Sequence, residues 1–287
     1  MKLEPRRAQL FAVAAIGFLV ALKAAGAWAT RSLALGSAAL DSLIDLFVSG
    51  ASYLVLRRST APPDADHAFG HGKFENLMML GQGLFVVGAA GGLVVAGVER
   101  LRSGEAPAKA VIPLGLAVLA VSLLVNLAVT RRLSRAAEAS GSPALKADSL
   151  HHRADFWVNG TAMGALLLVL LTGWAPADPL VALAVAVYVF RTGGSLVLEA
   201  LGDLADRGLP PEDLRRIAAV VASFAPEAVG MHDLKTRRSG GQRFISLHLE
   251  IPRDTSFVAA HDLIVRVLRA VEQELPRSNV SIHGDPV

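Results

Sequence analysis

The chain has 287 residues, 53% of them hydrophobic and 18% charged, with a mean hydropathy of +0.47. Soluble domains average about 25% charged residues, so the composition points to an integral membrane protein. The absence of cysteine excludes disulfides and thiolate metal sites, and with a net charge of only +3 no nucleic-acid partner is expected.

Six stretches are long enough to cross ~30 Å of hydrocarbon. They run Leu10–Ala29, Leu33–Leu56, Leu77–Val98, Val111–Thr130, Leu145–Thr172 and Pro179–Leu198. The second and fifth are less apolar because they carry Asp and His. Another span follows the first almost at once, so the first reads as an uncleaved helix rather than a signal peptide. Lys2, Arg6 and Arg7 precede the first span. Arg57, Arg58 and Lys73 follow the second, and Arg131, Arg132, Arg135 and Lys146 follow the fourth. Arg31, Arg100, Arg102 and Lys109 form the minority on the other side. The excess places both termini in the cytoplasm. In the third span, Gly88-x-x-x-Gly92 permits close helix contact.

Composition changes near Asp203, which divides the chain into a six-helix membrane domain, 1–202, and a soluble domain, 203–287. Pro210-Pro211-Glu212-Asp213 opens a helix whose apolar face continues through Ile217, Val220, Val221 and Phe224. Met231–Arg238 and Arg243–Ile251 read as strands joined at Ser239-Gly240-Gly241. In the second strand, Phe244, Ser246, His248 and Glu250 alternate with Ile245, Leu247, Leu249 and Ile251, the pattern of a half-buried strand. A helix over Ser256–Glu274 and a short strand over Val280–His283 complete an αββαβ order. An α+β domain with one helix-covered antiparallel sheet is expected.

Three groups of His and Asp carry the chemistry. Asp41 and Asp45 are four residues apart in the second span, and His151 and Asp155 repeat that spacing in the fifth. Each i,i+4 pair shares one helix face. An Asp near the bilayer centre costs roughly 2.5–3.5 kcal/mol, so packing alone does not explain them. A buried salt-bridge network is the bland alternative, but Arg153 alone cannot neutralise three carboxylates. Facing one another, the two helices would offer an oxygen and nitrogen site suited to Zn²⁺ or a similar divalent ion. Spacing leaves His152 and Asp148 open, since positions 148, 151, 152 and 155 form one stripe. The second group is Asp64, His67 and His71, in a loop kept non-helical by Pro62-Pro63 and two glycines. It is either a solvated polar loop or a metal site with an open position. The third group is His232, His248, His261, His283 and Asp285, at the ends of strands and a helix in the soluble domain, where a binuclear site is expected.

Asp41-x-x-x-Asp45, His151-x-x-x-Asp155, His67-Ala-Phe-Gly-His71-Gly-Lys73 and the C-terminal histidines together resemble the cation diffusion facilitator family, in its bacterial zinc and iron efflux branch. The resemblance runs over essentially the full length. It favours His151 over His152 as the ligand and implies a ferredoxin-like cytoplasmic metal domain. A homodimer whose cytoplasmic domains pair through bound metal is implied, as is an ion pair between Lys73 and Asp206, with Asp203 close by.

The expected function is proton-coupled antiport of a divalent cation out of the cytoplasm across the bacterial inner membrane. Zn²⁺ is the expected cargo, with Cd²⁺ and Fe²⁺ as alternatives, and Zn²⁺ is also expected as a structural ligand of the cytoplasmic domain. Imidazole exchanges protons near neutrality, and a cluster of carboxylates in low dielectric takes up protons as metal leaves. Four protein ligands leave no open position for hydrolysis, and His-Glu-x-x-His is absent, so no enzyme activity is expected. The alternative is a membrane-bound metal sensor or scaffold that does not transport.

Overall fold

The computed structural model describes residues 5–30, 33–103, 112–172 and 177–287. Lys2, Arg31, Lys109 and the Val111 start of the fourth expected span lie outside the described residues. The chain divides into two compact units, Met1–Ala200 and Leu201–Val287.

Six long helices make up the first unit: α1 (Pro5–Thr30), α2 (Leu33–Ser59), α3 (Lys73–Ser103), α4 (Ile112–Ser140), α5 (Pro143–Thr172) and α6 (Ala177–Leu204). Among the described residues, α1, α2, α3, α4 and α6 each contain a segment long and apolar enough to cross a membrane. α5 has 30 residues, about 45 Å at 1.5 Å per residue, and its first half carries Lys146, Asp148, His151, His152, Arg153 and Asp155. Asp148, His151 and His152 are buried, whereas Lys146 and Arg153 are exposed. Large apolar residues such as Phe18, Leu54, Leu124 and Phe190 are exposed on the unit's exterior, where a bilayer would solvate them. The protein is a multi-pass membrane protein.

Packing in this unit relies on small residues. Ala8, Ala12 and Ile16 of α1 meet Val129, Leu133 and Ala136 of α4, with Leu56 and Leu145 beside them. α3 and α6 approach closely at Gly83, where an added Cβ would lie 2.9 Å from Val197 Cγ2, and at Gly193, where it would lie 3.0 Å from the Gly83 carbonyl oxygen. The Gly88-x-x-x-Gly92 motif takes no part in this contact, since a Cβ at either position would meet nothing within 4 Å.

The second unit follows the expected element order: α7 (Pro211–Ala222), β1 (Gly230–Ser239), β2 (Gln242–Ile251), α8 (Phe257–Glu274) and β3 (Ser278–Pro286). Pro210 and Pro211 start α7, and Ser256 caps α8 by accepting from the Ala259 backbone N–H. Gly240, at φ +59°, makes the two-residue hairpin turn. Ile245, Leu247, Leu249 and Ile251 of β2 are buried against Ile217 and Val221 of α7 and Leu263, Val267 and Val271 of α8. The expectation of an antiparallel sheet needs correcting. β1 pairs antiparallel with β2, but β3 runs parallel to β2. The physical reason is α8: a helical crossover returns the chain to the end of the sheet from which β2 began, as a tight turn does not. β3 is also longer than expected, and it carries Asp285 in register on the sheet.

Candidate metal centres

The first candidate centre is a cavity of about 280 Å³ among the membrane helices. Asp41 and Asp45 of α2, His151 and Asp155 of α5, and Lys23 of α1 all line it. The i,i+4 spacing puts each pair on one side of its helix, and packing turns the two sides toward each other. His151 Nε2 lies 3.1 Å from Asp45 Oδ1 and 3.7 Å from Asp155 Oδ2. One imidazole nitrogen therefore faces carboxylates from two helices. Asp155 Oδ2 is buried with only the loose approach of His151 Nε2 at 3.7 Å and His152 Nδ1 at 3.4 Å, a demand that a cation would satisfy better. Asp41 contributes to the cavity wall one turn away and does not join these contacts.

Beside this centre is a network of which helical spacing marks Asp148 and His152 but not Gln9, Ser49 and Gln82. His152 Nδ1 lies 3.4 Å from Asp155 Oδ2, while its Nε2 lies 3.1 Å from Ser49 Oγ. Ser49 Oγ donates to Asp148, whose carboxylate also accepts from Gln9 Nε2 at 2.6 Å and from Gln82 Nε2 at 3.3 Å. Asp148 is completely buried, and these donors come from α1, α2 and α3. The network engages Nε2 of His152 with its neighbours, whereas Nε2 of His151 points to the two carboxylates. At the same end, Glu75 of α3 is buried and accepts hydrogen bonds from Ser59 of α2 and Ser142 beside α5.

The second centre gathers Asp64, His67 and His71 in the loop between α2 and α3. His67 Nδ1 lies 3.1 Å from Asp64 Oδ1, and His71 Nε2 lies 3.0 Å from Asp64 Oδ2. The loop closes through the Gly70 N–H donating to the His67 carbonyl, with Gly70 at φ +81°. His71 is buried, while the other two are exposed. Desolvation pushes the Asp64 carboxyl up, but hydrogen bonds from the His67 backbone and ring outweigh it and leave the group below the usual carboxylate range.

The third centre is built by register. His232 of β1 pairs with His248 of β2, and His248 pairs with His283 of β3, so three imidazoles form a row across the sheet. Neighbouring ring centroids are 5.2 Å and 4.9 Å apart. Asp285, two residues along β3 and hence on the same face, touches all three: His248 Nδ1 at 2.9 Å, His232 Nε2 at 3.1 Å and His283 Nε2 at 3.2 Å. Glu250 reaches His232 Nδ1 at 3.1 Å, and Asp233 lies 3.8 Å from His248 Nε2. These two carboxylates were not anticipated, although Glu250 alternates with His248. The hydrogen bond from His248 holds the Asp285 carboxyl below its ordinary range. His232, His248 and Asp285 can converge on one ion. His261 of α8 stays outside that triad, and instead shares a groove of about 500 Å³ with His283 and Asp285.

Lys73 begins α3 in the first unit. Asp206, its expected partner, lies in the second unit at 3.5 Å from Arg237 Nη1, and Asp203 is buried.

Residues 9–205 match the cation efflux transmembrane domain family, and residues 209–287 match the cation efflux protein, cytoplasmic domain family. Among similar proteins, the cation-efflux pump FieF of Klebsiella pneumoniae is 36% identical over 280 residues, covering 98% of this chain and 92% of that protein. FieF of Escherichia coli O127:H6 is 37% identical over 281 residues with the same coverage. A solved structure of CzrB in its zinc form is 40% identical, covers 28% of this chain and 92% of that one, and has a TM-score of 0.27.

Proposed function

Given that the chain belongs to the cation efflux family and is a cation efflux transporter, we propose that it exports Zn²⁺ from the bacterial cytoplasm in exchange for protons. Cd²⁺ and Fe²⁺ are the alternative cargoes. The observation that carries this reading is His151 Nε2 facing Asp45 and Asp155 across one cavity. The donor set is one imidazole with carboxylates, which suits borderline divalent ions. Asp41 completes the set, and its separation from the other three fits a site that must open to release its ion.

In this reading metal and protons occupy the cavity in turn. When the cation leaves, carboxylates facing one another in a poor dielectric repel, and protons relieve that repulsion. Relative movement of α2 and α5 would break the site, because each supplies half of the ligands. Both termini lie in the cytoplasm of the inner-membrane protein. Asp64, His67 and His71 form a second, cytoplasm-facing site. His232, His248, His283 and Asp285, with His261 at the rim, hold structural Zn²⁺ that links the cytoplasmic domains of a homodimer. The Lys73–Asp206 ion pair belongs to the same proposal.

Purified protein in proteoliposomes tests it. An imposed pH gradient drives Zn²⁺ flux in wild type and not in Asp155→Ala. Flux in that variant equal to wild type, or wild-type flux indifferent to the gradient, overturns the reading.

A further inference from the structure

Lys23 is the feature that the four-ligand description does not use. It lies in the middle of α1 between Leu22 and Ala24, and only 8% of it is exposed. Its Nζ donates to Ser42 Oγ at 2.8 Å, on the residue next to Asp41. It lines the same cavity as Asp41, Asp45, His151 and Asp155. A lysine at membrane depth is costly unless acidic groups or water receive it. Here the acidic groups are the cavity's own carboxylates. A hydrogen bond from α1 to α2 alone would need only a neutral polar side chain, so the charge itself calls for an explanation.

We propose that Lys23 is the resident counter-cation of the transport cavity and a determinant of its affinity and charge selectivity. The inference rests on the carrier reading above. Three carboxylates and one ammonium leave two negative charges, which one divalent ion cancels. Without the ammonium, the loaded cavity would keep a net negative charge and hold its ion harder. Lys23 is tethered to α1 and cannot leave with the cargo. It is present in both empty and loaded states, so it weakens metal binding by a fixed Coulombic repulsion and speeds release. In the empty state it offsets part of the repulsion among the carboxylates, which keeps α1, α2 and α5 packed together.

The test uses initial rates of Zn²⁺ uptake by full-length protein in proteoliposomes at a fixed pH gradient, over a range of Zn²⁺ concentrations. Lys23→Gln keeps a donor for Ser42 and removes the charge; Lys23→Arg keeps the charge. KM and Vmax both fall by about tenfold in Lys23→Gln, since one unit charge is lost a short distance from the ion, and both return toward wild type in Lys23→Arg. A purely structural lysine would instead raise KM or abolish flux when replaced. Unchanged kinetics in Lys23→Gln, or a raised KM, overturns the proposal. Wild-type flux and its loss in Asp155→Ala report separately on the carrier reading, so the two failures are distinguishable.

Discussion

His151 Nε2 lies 3.1 Å from Asp45 Oδ1, joining α5 to α2 within a cavity that α1 closes from the side. Asp155, 3.7 Å from His151 Nε2, and Lys23 line the same cavity, so the pair sits in a polar cluster at that depth. Asp45→Asn preserves shape and removes the charge. Partners one layer outside a metal ligand already contribute about 10–100-fold, so loss of a direct carboxylate lowers the initial Zn²⁺ flux by at least about 100-fold. Initial-rate measurements in proteoliposomes check this, and a rate equal to wild type removes Asp45 from the site.

His151 and His152 are adjacent but engaged differently. His151 faces two candidate ligands, while His152 bridges Asp155 and the buried Ser49–Asp148 pair. His151→Asn abolishes flux. His152→Asn leaves the metal set intact but loosens Asp155, which lowers flux by about 10–100-fold without eliminating it. The same assay compares them, and the reverse order would make His152 the ligand.

The contrast between those two histidines marks where sequence reading runs out. Helical spacing places Asp41 with Asp45 and His151 with Asp155, because i and i+4 always share a face. It gives no information on which of two adjacent histidines meets a helix more than 100 residues away. Period-two alternation likewise places His248 opposite the core side of β2, and it equally marks Glu250 as its neighbour on that face. Lys23 was invisible for a different reason. It is a single charge in an otherwise ordinary apolar span, and only helix packing brings it to carboxylates on α2 and α5. The direction of β3 was also hidden, since an alternating strand reads the same in either orientation. GxxxG spacing records only the capacity for close contact, and within the protomer the close approach of α3 to α6 falls at Gly83 and Gly193.

That last difference is measurable. At Gly83 a new Cβ would lie 2.9 Å from Val197 Cγ2 and 3.0 Å from the Val197 backbone nitrogen, whereas at Gly88 it meets nothing within 4 Å. Backbone atoms do not yield as flexible side chains do. Gly83→Ala therefore costs about 1–3 kcal/mol, the usual range for overpacking, and lowers the melting temperature of the detergent-solubilised protein. Gly88→Ala leaves it near wild type. Equal melting temperatures for the two variants would mean that α3 and α6 do not pack through Gly83.

The core of the cytoplasmic unit offers a complementary check. Leu247 is fully buried between the sheet and both helices, one residue from His248 on the opposite face. Leu247→Ala removes buried methyl groups from a rigid layer and destabilises this unit by about 2–5 kcal/mol. Limited proteolysis of the full-length protein reads this as faster cleavage after Asp206. Cleavage at the wild-type rate would contradict the packing.

The row of His232, His248 and His283 capped by Asp285 gives the final prediction. Asp285 contacts one nitrogen of each of the three rings, while Glu250 and Asp233 approach the second nitrogens of His232 and His248. An ion there would replace weak ring-to-carboxylate contacts with direct bonds and draw the strand ends together. If this metal also links two copies of the chain, adding Zn²⁺ shortens the distance between spin labels placed on the exposed Arg215 of each cytoplasmic unit. His248→Ala removes the central ring of the row and abolishes that shortening, while flux through the membrane cavity persists at a reduced rate. Because metal binding needs deprotonated ligands, the shortening also weakens as the pH is lowered. A label distance that ignores Zn²⁺ in wild type would confine the metal to a role within one protomer.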